Sequence, residues 1–230
     1  MTASDVIAHP SPNFGPRRDG LLPSLIVIHY TAMADAPSAL ARLCSEEFEV
    51  SAHYLICKKG QVYQMVEESA RAWHAGAGMW RGMADINSRS IGIELDNDGK
   101  TPFSEPQMTA LETLLPGIMT RWNIAPEGLI GHSDMAPTRK ADPGRKFDWA
   151  RLAFRGLAIW PEGTKTADQT EFATLATRFG YDMTQGEAAV LDALRQRFAP
   201  WRDGPVQDAD MATLADLAAR FPVEPPQNIT

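Results

Sequence analysis

The chain has 230 residues and a formal net charge of −7, with 44% hydrophobic and 22% charged residues. That is the balance of a globular protein with a real core, in one large domain or one ordinary domain plus a small one. The acidic charge disfavours nucleic acid and anionic lipid as partners, and no apolar run approaches the length of a membrane span.

The first 20 residues are polar and broken by proline, as in His9-Pro10-Ser11-Pro12, which predicts an irregular lead-in. Leu25-Ile26-Val27-Ile28 is a continuous apolar run, the pattern of a buried strand, and it stops at His29-Tyr30-Thr31. Pro37 to Glu47 reads as a helix. Ser51 to Cys57 and Gln61 to Val66 flank Lys59-Gly60 and read as a β-hairpin. Trp73-His74-Ala75-Gly76 opens a loop that runs through Trp80-Arg81-Gly82 to Asn87. In Ser90 to Leu95 the alternation places Ile91, Ile93 and Leu95 on one face, and Gly92 and Glu94 on the other.

Ser104 is the N-cap of a helix with Pro106 in its first turn and Met108, Leu111, Leu114, Leu115 and Ile118 at helical spacing. Gly128 to Gly131 reads as a short strand. The loop that follows carries His132, Lys140 and Asp142, and Pro137, Pro143 and Gly144 exclude a regular helix through it. Asp148 to Leu157 reads as a helix. Strands and helices alternate irregularly around one hairpin. An α/β domain with a mixed central β-sheet flanked by helices is therefore expected, ending near Pro161.

Beyond a polar link, Gly163 to Gln169, three apolar faces recur: Leu175, Ala176 and Phe179; Val190, Leu191, Leu194 and Phe198; Leu214, Leu217, Ala218 and Phe221. They predict a small three-helix bundle, followed by a Pro-rich tail from Pro222. The expected division is residues 1–163 and 164–230. Cys44 and Cys57 form no C-x-x-C pair and read as two free thiols, with a single disulfide the alternative. Met1 to Gly20 shows no apolar signal core and no lipidated cysteine. The expected compartment is cytoplasmic, or periplasmic if an export signal precedes this sequence.

Ligand chemistry in α/β sheets gathers beyond the carboxyl ends of strands. His29 and His132 each follow a strand, and Asp142 returns on irregular backbone. Together they offer two nitrogens and one oxygen, a catalytic zinc set with a fourth position open. Glu94 is then a candidate base and Lys140 a candidate cation for a developing oxyanion. The residues alone leave a second reading open, in which these are hydrogen-bonded or solvated polar side chains.

The motifs Val27-Ile28-His29-Tyr30-Thr31, Ser51-Ala52-His53-Tyr54, Trp73-His74-Ala75-Gly76, Ser90-Ile91-Gly92-Ile93-Glu94-Leu95, Gly131-His132-Ser133-Asp134 and Lys140-Ala141-Asp142-Pro143-Gly144 occur in that order. Over roughly residues 20–162 the chain thereby resembles the type-2 N-acetylmuramoyl-L-alanine amidases, the AmpD/AmiD family, related to phage T7 lysozyme and peptidoglycan recognition proteins. The segment after Gly163 is similar to the helical peptidoglycan-binding module of the AmiD branch, through Phe179-Gly180-Tyr181, Phe198-Ala199-Pro200 and Asp203-Gly204.

The resemblance implies a zinc hydrolase that cuts the amide between the lactyl group of N-acetylmuramic acid and L-alanine. Its substrate would be a muropeptide or peptidoglycan, with 1,6-anhydro-muropeptides of cell-wall recycling the expected form. It implies Zn2+ held by His29, His132 and Asp142, Glu94 activating the attacking water, and Lys140 stabilising the tetrahedral intermediate. Tyr30, His74, Ala75, Trp80 and Arg81 are the candidate substrate-binding residues, and His53 is expected to be structural. A non-catalytic peptidoglycan-binding protein of the same fold is the alternative; such relatives typically lack a zinc ligand, and here every position is filled. The AmpD branch carries an arginine nine residues before the glutamate and an asparagine after the first histidine. Asp85 and Tyr30 stand there in this chain, which leaves Arg81 or Arg89 to meet stem-peptide carboxylates.

Overall fold

The computed structural model describes residues 6–163 and 166–223. Its strands are β1 (Val6–Ala8), β2 (Phe14–Gly15), β3 (Leu25–Tyr30), β4 (Tyr54–Ile56), β5 (Val62–Gln64), β6 (Arg71–Ala72), β7 (Ser90–Leu95) and β8 (Leu129–Gly131). Its helices are α1 (Ala36–Leu43), α2 (Ile86–Arg89), α3 (Glu105–Trp122), α4 (His132–Met135), α5 (Trp149–Phe154), α6 (Phe172–Phe179), α7 (Glu187–Phe198) and α8 (Asp208–Arg220).

One sheet, ordered β1-β5-β4-β7-β3-β8, organises the chain, and β2 pairs separately with β6. The hairpin of β4 and β5 is antiparallel, whereas β4, β7, β3 and β8 run parallel. The sheet is thus mixed and flanked by helices, as the alternation of runs implies. Cap chemistry sets the helix starts. Ser104 Oγ accepts from Gln107 N–H at 3.4 Å, and Asp35 accepts from Ser38 N–H at 2.9 Å.

The register between β3 and β7 decides where the chemistry lies. Ile26 faces Ile91, Val27 faces Gly92, Ile28 faces Ile93 and His29 faces Glu94. Alternation then sends Ile26, Ile28, Ile91, Ile93 and Leu95 to one side, where Leu111, Leu115 and Ile118 of α3 and Leu152 of α5 cover them. Val27, His29, Gly92 and Glu94 point to the other side. There Leu40 and Leu43 of α1 pack with Leu55. Further along the same face, Phe172, Phe179, Leu194 and Leu214 of the carboxy-terminal helices share one core with Val27, Trp80, Ile130 and Met135. Each such side chain contributes about 1.5–3 kcal/mol by leaving water. His29 and Glu94 lie on this face in a cavity that Ala39, Arg42 and Leu43 of α1 help to line.

Two local features differ from the sequence expectation. The lead-in is not wholly irregular: β1 pairs in parallel with β5, and β2 with β6. β1 is a short edge strand whose residues stay largely exposed, so no hydrophobic alternation marks it. The loop after Gly131 begins with one helical turn, α4, which closes before Pro137. The centre of the expected link, residues 164–165, and the tail beyond Val223 lie outside the described residues.

Candidate metal centre and active site

Three side chains meet at the carboxyl end of the sheet. His29 closes β3, His132 opens α4 directly after β8, and Asp142 returns on the following loop. Nδ1 of His29, Nδ1 of His132 and Oδ2 of Asp142 form a triangle with every side 2.9 Å. All three residues are buried, at 1%, 2% and 7% exposure. One ion can touch all three atoms at the roughly 2.0–2.2 Å typical of zinc.

The hydrogen-bond directions around the triangle leave it without protons. His132 Nε2 lies 2.9 Å from the carbonyl oxygen of Ala75, which can only accept, so Nε2 carries the proton and Nδ1 of the neutral ring is bare. The same reasoning follows a longer path from His29. Ser90 Oγ–H donates to Ile86 O at 2.6 Å, so Oγ accepts from His74 Nε2–H at 3.2 Å. His74 Nδ1 is then a lone pair and accepts from His29 Nε2–H at 3.0 Å. Nδ1 of His29 is therefore bare as well. Burial, reinforced by the nearby His132, lowers the His29 pKa to about 4, and burial holds His74 well below its ordinary value. Oδ2 of the Asp142 carboxylate completes the triangle at 2.9 Å from each Nδ1. Two nitrogen lone pairs and an ionised carboxylate oxygen thus converge, an arrangement that repels itself unless a cation sits among them. The donor set fits zinc.

A cavity of about 520 Å³ opens above the triangle. Tyr30, His74, Glu94 and Lys140 line it, together with Arg42 and Arg139. Glu94 is half-buried, and its Oε2 is shielded from solvent with no hydrogen-bond partner. Burial, followed by the Asp142 charge, pushes its carboxyl up to about 8, while Lys140 acts in the opposite direction. Raised that far, the carboxyl largely holds its proton at neutral pH, and it accepts one in its ionised form, which a cation at the triangle would favour. Although the chain is acidic overall, the exposed charges lining this cavity are cationic.

Of the predicted residues, the structure brings His29, His132, Asp142, Glu94, Lys140, Tyr30 and His74 to this cavity. It does not bring Trp80, Arg81 or Ala75 there as substrate-facing groups. Trp80 is 1% exposed and stacks edge-on against Phe179 and Tyr181 at 5.5 and 5.0 Å, because the carboxy-terminal helices cover its side of the loop. Arg81 docks on that same segment, donating from its backbone to Gly180 O at 2.8 Å and from Nη2 to Pro222 O at 2.5 Å. Gly180 is required at that approach: its φ is +138°, and a Cβ there would lie 2.6 Å from Arg81 Cγ. Ala75 is fully buried and serves through its carbonyl. Arg89 reaches Ala84 O and Met83 Sδ rather than the cavity. His53 is structural: its Nδ1 accepts from Gly92 N–H at 2.9 Å and its Nε2 donates to Ala70 O at 3.2 Å.

Sequence reasoning missed four supporting residues. Asn87 Oδ1 accepts from His74 N–H and Ala75 N–H at 3.1 and 2.8 Å, fixing the loop on which His29 and His132 lean. Ser90 ends the His29 path. Arg42 and Arg139 line the cavity mouth, where Arg42 lies 4.3 Å over the Phe48 ring and Arg139 donates to Ala75 O at 2.7 Å. No periodicity marks such residues. The one available signal is the arginine at the end of an amphipathic helix that follows a ligand-bearing strand.

Residues 19–145 match the N-acetylmuramoyl-L-alanine amidase family. The chain is 36% identical over 225 residues to N-acetylmuramoyl-L-alanine amidase AmiD of Escherichia coli, a match covering 84% of this chain and 80% of that protein. It is 35% identical over 166 residues to 1,6-anhydro-N-acetylmuramyl-L-alanine amidase AmpD of Citrobacter freundii, covering 64% of this chain and 87% of that protein. The fold superposes with a TM-score of 0.78, at 33% identity, on the E. coli AmiD complex with anhydro-N-acetylmuramic acid-L-Ala-D-γ-Glu-L-Lys, covering 88% of this chain and 92% of that one.

Proposed function

The chain belongs to the N-acetylmuramoyl-L-alanine amidase family, and from that premise we propose that its triangle of His29, His132 and Asp142 holds one zinc ion at the site of amide hydrolysis. The bond cut joins the lactyl carbonyl of N-acetylmuramic acid to the nitrogen of L-alanine. The observation that carries the zinc assignment is the proton-free triangle, two bare nitrogens and one carboxylate oxygen at mutual distances of 2.9 Å. Zinc there supplies a Lewis acid that polarises the scissile carbonyl and acidifies water.

The protein's own groups do the rest. Glu94, with its unpartnered Oε2, takes a proton from the attacking water as oxygen bonds to the carbonyl carbon. It returns that proton to the alanine nitrogen as the carbon–nitrogen bond breaks, leaving a lactyl carboxyl and a free amine. Lys140, on the cavity wall, presents its ammonium to the oxyanion that forms between these steps. His74 and Asn87 keep the two metal histidines in place and contribute no proton. Tyr30 and Arg42 line the cavity, where an amphipathic ring and a cation suit a glycopeptide with free stem carboxylates.

The preferred substrate is a small anhydro-muropeptide, a class supported by the likeness to 1,6-anhydro-N-acetylmuramyl-L-alanine amidase AmpD. The free Cys44 and Cys57 suit a reducing compartment, and fractionation of native cells tests a cytoplasmic placement. The central experiment combines metal analysis with mass spectrometry of anhydro-muramyl peptide after incubation. The expected result is about one zinc per chain and release of the free peptide. His132→Ala should lose the metal and the turnover together; full zinc occupancy in that variant rejects the assignment.

A further inference from the structure

The carboxy-terminal helices reach beneath the turn that carries His132. Asp134, at 1% exposure, lies two residues after that ligand. Its Oδ2 accepts from Gly131 N–H at 2.8 Å, so the carboxylate folds back over the strand end that presents His132. Two further donors reach it from far along the chain. Tyr181 O–H, just after α6, donates to Oδ1 at 2.8 Å, and Arg197 Nη1, near the end of α7, donates to Oδ2 at 3.0 Å. Arg197 also donates from Nη2 to Leu129 O at 2.8 Å. One guanidinium, 2% exposed, therefore clasps the strand before His132 and the turn after it.

The surroundings make this a built support and not a surface contact. Burial, with the Asp134 charge beside it, holds the Tyr181 phenol protonated and hence a donor. Trp149 lies 4.7 Å below the Arg197 guanidinium. Phe172, Phe179 and Leu214 share a core with Ile130 and Met135, which bracket the ligand in sequence. Separable modules meet through smaller and more polar interfaces.

We propose that the carboxy-terminal helices are the support that sets the His132 ligand, acting through Asp134, with Tyr181 and Arg197 as positioning residues. The inference rests on the zinc reading of the triangle. A carboxylate held by three donors from β8, the turn after α6, and α7 leaves α4 one orientation, and His132 Nδ1 follows it. Without Tyr181 and Arg197 the turn is free to rotate, and the triangle loses one corner.

The test uses the full chain and Tyr181→Phe, which removes one O–H and no packing volume. Zinc affinity is read by competition with a chromogenic chelator, and amide exchange is read over residues 131–136. The expected result is an affinity lowered about 10-fold, faster exchange in that turn, and a fall in kcat with KM nearly unchanged. Leu214→Ala is the control, since it opens the same core without touching Asp134. It should lower the melting temperature at least as much yet keep zinc affinity within about twofold. Wild-type zinc affinity in Tyr181→Phe, or an equal loss in Leu214→Ala, overturns the inference. A wild-type chain that binds no zinc rejects the zinc reading instead. Arg197→Lys, which keeps the charge but loses the two-sided clasp, should show the same loss if it folds.

Discussion

Gly92→Ala should weaken zinc binding by displacing His74, with no change at the three residues of the triangle. Gly92 lies on β7 directly beneath the His74 ring, and a Cβ there would sit 2.4 Å from Cγ, 2.6 Å from Cδ2 and 2.7 Å from Nδ1. Those contacts are far inside van der Waals range, so the ring must move by about an ångström. Movement breaks the bond from His29 Nε2–H to His74 Nδ1 and the bond from His74 Nε2–H to Ser90 Oγ. Overpacking costs about 1–3 kcal/mol, and each lost buried hydrogen bond adds about 1 kcal/mol. The metal-free protein should therefore be destabilised by about 3–5 kcal/mol and melt roughly 6–20 °C lower, at about 2–4 °C per kcal/mol for a chain of this size. Freed of its partner, His29 can also flip or take the other tautomer, and zinc affinity should fall about 10–100-fold. Chelator competition and melts with and without zinc measure both effects. The double variant Gly92→Ala/His74→Ala isolates the cause: without the imidazole, the added methyl should cost little more than His74→Ala alone. A Gly92→Ala protein with wild-type zinc affinity would falsify this account of how His29 is held.

Glu94→Gln should retain zinc and fold but lose about 10²–10⁴-fold in kcat, because the amide cannot take the proton from water; turnover near wild type would mean that another group does so. Arg42→Ala should raise KM for muropeptides with free stem carboxylates and leave kcat nearly unchanged, since Arg42 is an exposed cation on the cavity wall and touches none of the three triangle atoms; an equal effect on a substrate with amidated carboxylates would exclude charge recognition. His53 should make the fold acid-sensitive. Burial lowers its pKa from 6.5 to about 3, so between those values the unfolded chain binds a proton that the fold refuses, and stability falls as pH drops through 6.5 toward 3. The loss is on the order of a few kcal/mol, and denaturant melts across that range should show one proton fewer taken up on unfolding in His53→Gln.

The central strands β3, β7 and β8 were legible because they are buried on both sides. The runs at Leu25, Ser90 and Leu129 need no partner to be recognised, and alternation alone separates Ile91 and Ile93 from Glu94. Alternation cannot supply the register that sets His29 against Glu94; that comes from helices on both faces. Trp80 and Arg81 show the converse. An aromatic and an arginine in a Gly-rich loop have the composition of a sugar-binding edge. Here they are covered, Trp80 by Phe179 and Tyr181 and Arg81 at Gly180, all about a hundred positions away. A local reading cannot see a cover that arrives from so far along the chain.

The same distance explains why the residues of the triangle were easier to single out than their supports. His29, His132 and Asp142 are recognisable because metal chemistry restricts the residue types that can serve. Their supports need only an acceptor or a donor in the right place, and backbone often provides it. Both histidine paths end on a main-chain carbonyl, His132 on Ala75 O and His29, through His74 and Ser90, on Ile86 O. A carbonyl accepts and never donates, so it fixes the polarity of everything upstream. A glutamine or a hydroxyl at either end could reverse, and one Nδ1 would then carry the proton that the ion must displace. The bare triangle is thus enforced by loop backbone geometry, which Asn87 holds from one side by accepting from His74 N–H and Ala75 N–H. It leaves no residue-type signature at Ala75 or Ile86.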